Sequence, residues 1–246
     1  MNTGNWVQLG PVQTWYAEFG GGDPVVLLHP GGVDARALEP TVAGLASTLR
    51  VYTPERRGHG RTPDVEGPGL STESTHAALT FADMAADTIA FIEQVVGGPT
   101  KLAGCSDGGV VALMVALQRP DLVERVACVA SVFHRDGWGG GMSGLADADR
   151  SDFVRRLDDM HSADPALTPA DLAELSVRTL VMIGDDDEVS IEHATEFYRS
   201  VPVAELAVVP GTSHGLLVEK PALCNALLLD FFTRDAVQTF APIRRV

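Results

Sequence analysis

A serine that can act as a nucleophile stands at position 106, within Leu102-Ala103-Gly104-Cys105-Ser106-Asp107-Gly108-Gly109. Thr100 to Gly104 reads as a short apolar strand, and Val110 to Leu117 as a buried helix. A serine on so sharp a strand-to-helix turn needs glycine two residues before it and two after. A side chain at Gly104 or Gly108 would collide with the backbone across the turn. The helix start behind the serine offers unsatisfied N–H groups and the positive end of a dipole, where an oxyanion can be held. In a chain with 25 glycines the five-residue pattern also arises by chance, so the alternative is a plain strand–turn–helix. The flanking elements favour the chemical reading.

A hydroxyl is a poor nucleophile until a base takes its proton, and the base needs a group to orient it. Of the seven histidines, His214 is the best placed. It lies in Val208-Val209-Pro210-Gly211-Thr212-Ser213-His214-Gly215, between the last strand and the last helix. Open α/β sheets present functional groups there, at the carboxyl ends of their strands. A carboxylate belongs on a neighbouring loop, and Gly184-Asp185-Asp186-Asp187-Glu188 follows the strand Leu180 to Ile183. The order serine, aspartate, histidine is one of the known triad orders. His29 and His59 are expected to hold loops together, and His76, His134, His161 and His193 to be surface or cap residues. No His, Asp or Glu spacing suggests a metal. A cysteine nucleophile at Cys105 would need glycines at 103 and 107, where Ala103 and Asp107 stand instead.

These residues must be positioned by alternating elements. Strands are expected at Val12–Phe19, Pro24–His29, Val51–Pro54, Thr100–Gly104, Arg125–Ser131, Thr179–Gly184 and Glu205–Val209. Helices are expected at Ala35–Leu49, Phe81–Val96, Gly108–Gln118, Ile191–Ser200 and Pro221–Phe232, with Thr80 placed to cap the second. This is the pattern of an α/β sheet with helices on both faces. The alternation breaks over residues 133–176, which open with Asp136-Gly137-Trp138-Gly139-Gly140-Gly141. Two amphipathic stretches follow: Ser151–Met160, and one starting at Thr168-Pro169, an N-cap with proline at the first helical position. The insertion reads as a small helical cap.

A chain of 246 residues can build one large α/β domain. A net charge of −15 argues against a nucleic-acid surface, which needs clustered Lys and Arg, and fits a soluble protein. No apolar run approaches the roughly 20 residues that span a bilayer, and the start lacks a secretory pattern. Three cysteines without metal spacing suit a reducing compartment, so a cytoplasmic location is expected. Cys128 and Cys224 are read as core.

Several motifs together resemble the α/β-hydrolase family over nearly the whole chain. His29-Pro30-Gly31-Gly32 resembles its His-Gly oxyanion loop, and Glu55-Arg56-Arg57-Gly58-His59-Gly60-Arg61 its Arg-Gly-His-Gly turn. His214 through Glu219-Lys220-Pro221 resembles its catalytic-histidine loop. The resemblance implies a mostly parallel sheet of about eight strands with helices on both faces. The core would be residues 1–132 and 177–246, and the cap residues 133–176.

It also implies Ser106 as nucleophile, His214 as base and Asp187 as acid. Asp185, Asp186 and Asp136 remain alternatives for the acid. Backbone N–H groups of Asp107 and Gly31 would form the oxyanion hole, because Pro30 has no N–H to donate; Gly32 is the alternative donor. Asp107, Gly32 and Trp138 are the expected substrate contacts. Ser-Asp-Gly-Gly is similar to the same turn in biphenyl-hydrolase-like and amino-acid-ester hydrolases. There Asp107 either pairs with a substrate ammonium or simply favours the helix dipole. The implied activity is cofactor-free cleavage of a small or medium carboxylic ester. Alternatives are lactonase, meta-cleavage C–C hydrolase or perhydrolase chemistry and, from another class, ligand binding without catalysis. No metal, nucleic acid or membrane partner is implied, and the oligomeric state stays open.

Overall fold

Side-chain alternation decides how the sheet is covered. In Pro24–Leu28 (β3), Val25 and Leu27 enter one core while Val26 and Leu28 enter the other. In Arg178–Gly184 (β7), Leu180 and Met182 take the first side, Val181 and Ile183 the second. Strands buried on both faces are parallel strands flanked by helices. The computed structural model describes residues 4–66, 77–138 and 151–240. Its other strands are Asn5–Leu9 (β1), Val12–Gly20 (β2), Arg50–Pro54 (β4), Thr100–Cys105 (β5), Val123–Val129 (β6) and Ala204–Val209 (β8). The eight form one sheet in the order β1-β2-β4-β3-β5-β6-β7-β8, parallel from β4 to β8 and antiparallel at the β1–β2 edge.

Phe81–Phe91 (α2), Asp107–Gln118 (α3) and Ile191–Ser200 (α6) cover one face. Glu39–Leu45 (α1), Leu216–Glu219 (α7) and Pro221–Thr233 (α8) cover the other. Val110, Val111, Leu113 and Val115 of α3 are fully buried, and each contributes roughly 2 kcal/mol of apolar burial. The helix behind Ser106 is therefore rigidly seated.

Three elements differ from the sequence reading. β1 was not expected: as an edge strand it buries only Leu9, and a turn at Gly10 (φ 54°) pairs it with β2. The expected helix over 35–49 is a 3₁₀ turn at Ala35–Leu38 followed by the short α1. Pro40 has no N–H to give to the preceding turn, so the helix restarts there. The expected helix over 81–96 is α-helical only to Phe91. Residues Ile92–Val96 widen into π geometry, closed by Gly97 (φ 80°), whose N–H reaches Ile92 O at 2.8 Å.

Between β6 and β7 lie Asp152–Ala163 (α4) and Pro169–Ala173 (α5). Ser151 caps α4, and Thr168 forms a capping box with Asp171 on α5. Arg156 of α4 turns inward and pairs with Asp64 and with Asp152, the latter at 2.9 Å. Leu157 and Met160 join the core beneath it.

Candidate active site

Ser106 follows β5, in the middle of the sheet, and caps α3 with backbone angles φ 55° and ψ −122°. A non-glycine residue occupies that region only when its surroundings enforce it. Here they do: Ser106 N donates to Val129 O at 2.9 Å, and Ser106 O accepts from Gly109 N at 2.8 Å. A Cβ on Gly104 would lie 1.9 Å from Gly108 O, and one on Gly108 would lie 2.3 Å from Leu28 O. Both glycines are required by contact, and the turn aims the serine hydroxyl out of the sheet end.

His214 Nε2 stands 3.1 Å from Ser106 Oγ, and its Nδ1 stands 2.8 Å from Asp187 Oδ1. Asp187 is an acceptor with no exposed side-chain surface, so Nδ1 carries the ring proton and Nε2 is free to accept. The carboxylate is oriented by two backbone donors, Gly184 N to Oδ2 and Val189 N to Oδ1, both at 3.1 Å. Burial pulls the His214 pKa down, but the bond to Asp187 and its charge outweigh this, and the net shift is upward. For Asp187 burial opposes ionisation, and the bonds from His214, Val189 and Gly184 overcome it, leaving a lowered pKa.

The other acids have different work. Asp185 accepts Thr212 N at 3.0 Å and so pins the histidine loop. Asp186 N donates to Thr212 O, and Asp136 is exposed beside His134. Glu219 fastens the same loop through Ser213 N at 2.7 Å and Ser213 Oγ at 2.6 Å.

Asp107 is the first residue of α3, where an N–H has no intrahelical acceptor. The loop after β3 packs against it: a Cβ on Gly31 would lie 2.0 Å from Asp107 Oδ2. Gly32 (φ 70°) faces α4, with Leu157 Cδ1 3.9 Å from its Cβ position. His29 is buried and keeps a low pKa; Arg56 N donates to its Nε2 at 3.1 Å. His59 is also buried, its pKa pulled down to about 4 chiefly by desolvation. Both therefore hold loops as neutral rings.

The Asp107 side chain, expected either to pair with a substrate ammonium or to favour the helix dipole, is already paired within the protein. It is 2 % exposed, and its Oδ1 is bound by His161 Nε2 at 2.8 Å. The sequence reading places His161 among surface or cap histidines. It lies on α4, which turns it inward onto Asp107. The signal was present: Phe153, Leu157, Met160 and His161 fall on one helical face. His193 is likewise buried, stacked 4.3 Å from Phe133 and accepting Phe133 N at 3.2 Å. Trp138 stands between the two histidines of the site, its ring 6.1 Å from His214 and 6.0 Å from His161. Its indole N–H is buried with no hydrogen-bond partner among the described residues. Cys105 is a buried strand-end thiol with its pKa pushed up to about 12, first by burial. His76 lies outside the described residues.

The arrangement as a whole can take a proton from a hydroxyl and hold an anion beside it. Residues 25–227 match the model of the alpha/beta hydrolase family, and the chain belongs to that family. It is 31% identical over 120 residues to (E)-2-((N-methylformamido)methylene)succinate hydrolase of Acinetobacter baylyi, covering 49% of this chain and 42% of that protein. Over 131 residues it is 31% identical to pimeloyl-[acyl-carrier protein] methyl ester esterase of Pectobacterium carotovorum, covering 51% and 45%. The matches thus span less than half the length of these relatives. The enol-lactonase of Burkholderia xenovorans shares the fold, with a TM-score of 0.77, 20% identity and coverage of 94% and 100%. Among the described residues no helix is long and apolar enough to cross a membrane.

Proposed function

We propose that this alpha/beta hydrolase is a cofactor-independent serine hydrolase that cleaves a small or medium carboxylic ester through an acyl-enzyme on Ser106. The observation that carries the reading is the unbroken chain of short contacts from Asp187 through His214 to Ser106 Oγ. His214 Nε2 takes the Ser106 proton as Oγ attacks the ester carbonyl. The tetrahedral oxyanion is held by the backbone N–H groups of Asp107 and Gly31. Its collapse breaks the C–O bond, and the alkoxide leaves with the proton from His214. A water then gives a proton to His214 and attacks the acyl carbon. The second collapse releases the acid and returns the proton to Ser106. Asp187 keeps its charge throughout and stabilises the imidazolium.

The ester class is supported by the methyl ester esterase among the relatives, a similarity that reaches only part of either chain. Three free, buried cysteines fit the reducing, cytoplasmic setting we propose. Nitrophenyl esters of graded acyl length, alongside lactones and amino-acid esters, test the reading with Ser106→Ala as control. Turnover of neutral esters that disappears in Ser106→Ala is the expected result. Full activity in that variant, or ligand binding with no turnover of any substrate, would contradict it.

A further inference from the structure

Four charged or titratable side chains meet behind the proposed oxyanion loop. Asp107 is buried on α3; Oδ1 accepts from His161, while Oδ2 is buried without a partner and lies against Gly31. Arg56, following β4, is buried too, and its guanidinium donates to His29 O at 2.7 Å and to Met84 Sδ at 3.4 Å. His59 is neutral, as above. Around His161 stand Asp107 from α3, Arg56 from the β4 loop, Asp158 from its own helix, and the rings of Phe81 and Trp138. The charges of Arg56 and Asp107 oppose each other, so the protonation of His161 decides whether the cluster is neutral or positive. A positive cluster favours an oxyanion forming at the adjacent residue, in a place where water screens little, and a neutral one does not.

We propose that His161 is a positioning residue: by binding Asp107 it keeps this buried cluster net positive beside Ser106, so that turnover requires its protonated form. The inference rests on the serine-hydrolase reading above. Burial lowers the His161 pKa, but the Asp107 bond and charge overcome that and hold it raised, while Asp107 itself is held low. His214 is held raised as well, by Asp187. The kcat profile is then a bell, with His214 on its acid side and His161 on its alkaline side.

The test is a double-mutant cycle on the full chain, read by nitrophenyl ester kcat across pH. His161→Gln should lower kcat at least tenfold and erase the alkaline limb. In an Asp107→Asn background the same change should cost less than twofold, because no carboxylate remains to be neutralised. His161→Lys, charged up to a much higher pH, should keep more activity than His161→Gln and move the alkaline limb upward. Equal losses from His161→Gln in both backgrounds would mean a mere tether and overturn the inference, as would an alkaline limb that survives in His161→Gln. Faster turnover of cationic esters by His161→Gln, with neutral esters unaffected, would also overturn it. Fluorophosphonate labelling separates the two levels. Ser106 labelled in every variant leaves the hydrolase reading intact, whereas no labelling of the unaltered protein removes both.

Discussion

Replacing Asp187 by asparagine exchanges one carboxylate oxygen for an NH₂ and leaves the backbone untouched. The carboxylate accepts three N–H groups: His214 Nδ1 at 2.8 Å and Val189 N at 3.1 Å on Oδ1, and Gly184 N at 3.1 Å on Oδ2. An amide offers one oxygen for those two positions. If that oxygen stays toward His214, the NH₂ faces Gly184 N–H, leaving a buried donor unsatisfied at a cost of about 1–3 kcal/mol in stability. If it flips, the NH₂ faces Nδ1 and drives the proton to Nε2, where the ring can no longer accept from Ser106. Either way the imidazolium loses a charge partner with no exposed surface. The same exchange in a serine–histidine–aspartate triad costs about 10⁴ in kcat. At about 1.4 kcal/mol per tenfold, that is about 5 kcal/mol of barrier. Asp185→Asn is the matched control, since Asp185 holds the loop backbone at Gly211 and at Thr212 N, the latter 3.0 Å away, and should cost less than about tenfold. Steady-state nitrophenyl ester hydrolysis, with thermal unfolding of both variants, makes the comparison. Asp187→Asn within tenfold of the unaltered protein, or Asp185→Asn losing as much as Asp187→Asn, would refute the assignment.

Two further predictions follow from the same geometry. His214 acts as base only when neutral and its pKa is raised, so activity should fall as pH drops through a midpoint above 6.5; in Asp187→Asn any residual activity should show a lower midpoint, measured by pH–rate profiles. Gly104→Ala puts a Cβ 1.9 Å from Gly108 O and should destabilise the fold by about 3 kcal/mol or more in denaturant titration, whereas Gly10→Ala, with nothing within 4 Å, should cost about 1 kcal/mol from its positive φ alone.

The proposed triad was legible because each member sits in a short segment whose residues carry their own instructions. Gly104 and Gly108 define the serine turn, while the strand ends at Gly184 and Val209 place Asp187 and His214 on adjacent loops of one sheet edge. Three aspartates in a row left the acid open in sequence. Hydrogen bonding favours Asp187, which reaches His214 while Asp185 ties down Thr212. β1 escaped because an edge strand with one buried residue carries almost no period-two signal. His161 escaped for a different reason: its partner lies 54 residues away on another element. Local pattern places His161 on the inner face of a helix but cannot say which part of the core that face covers. Asp107 shows the same limit. As a helix-start acid it has a local explanation, and only the packing of α4 brings His161 onto its carboxylate.

The central claim is that Ser106 is the nucleophile of a triad. Incubating the protein with a fluorophosphonate and mapping the modified peptide by mass spectrometry tests it most directly. A single adduct on Ser106, formed faster as pH rises through the His214 titration and lost in His214→Ala, is the predicted result. An unmodified Ser106, or labelling at the same rate without His214, would contradict it.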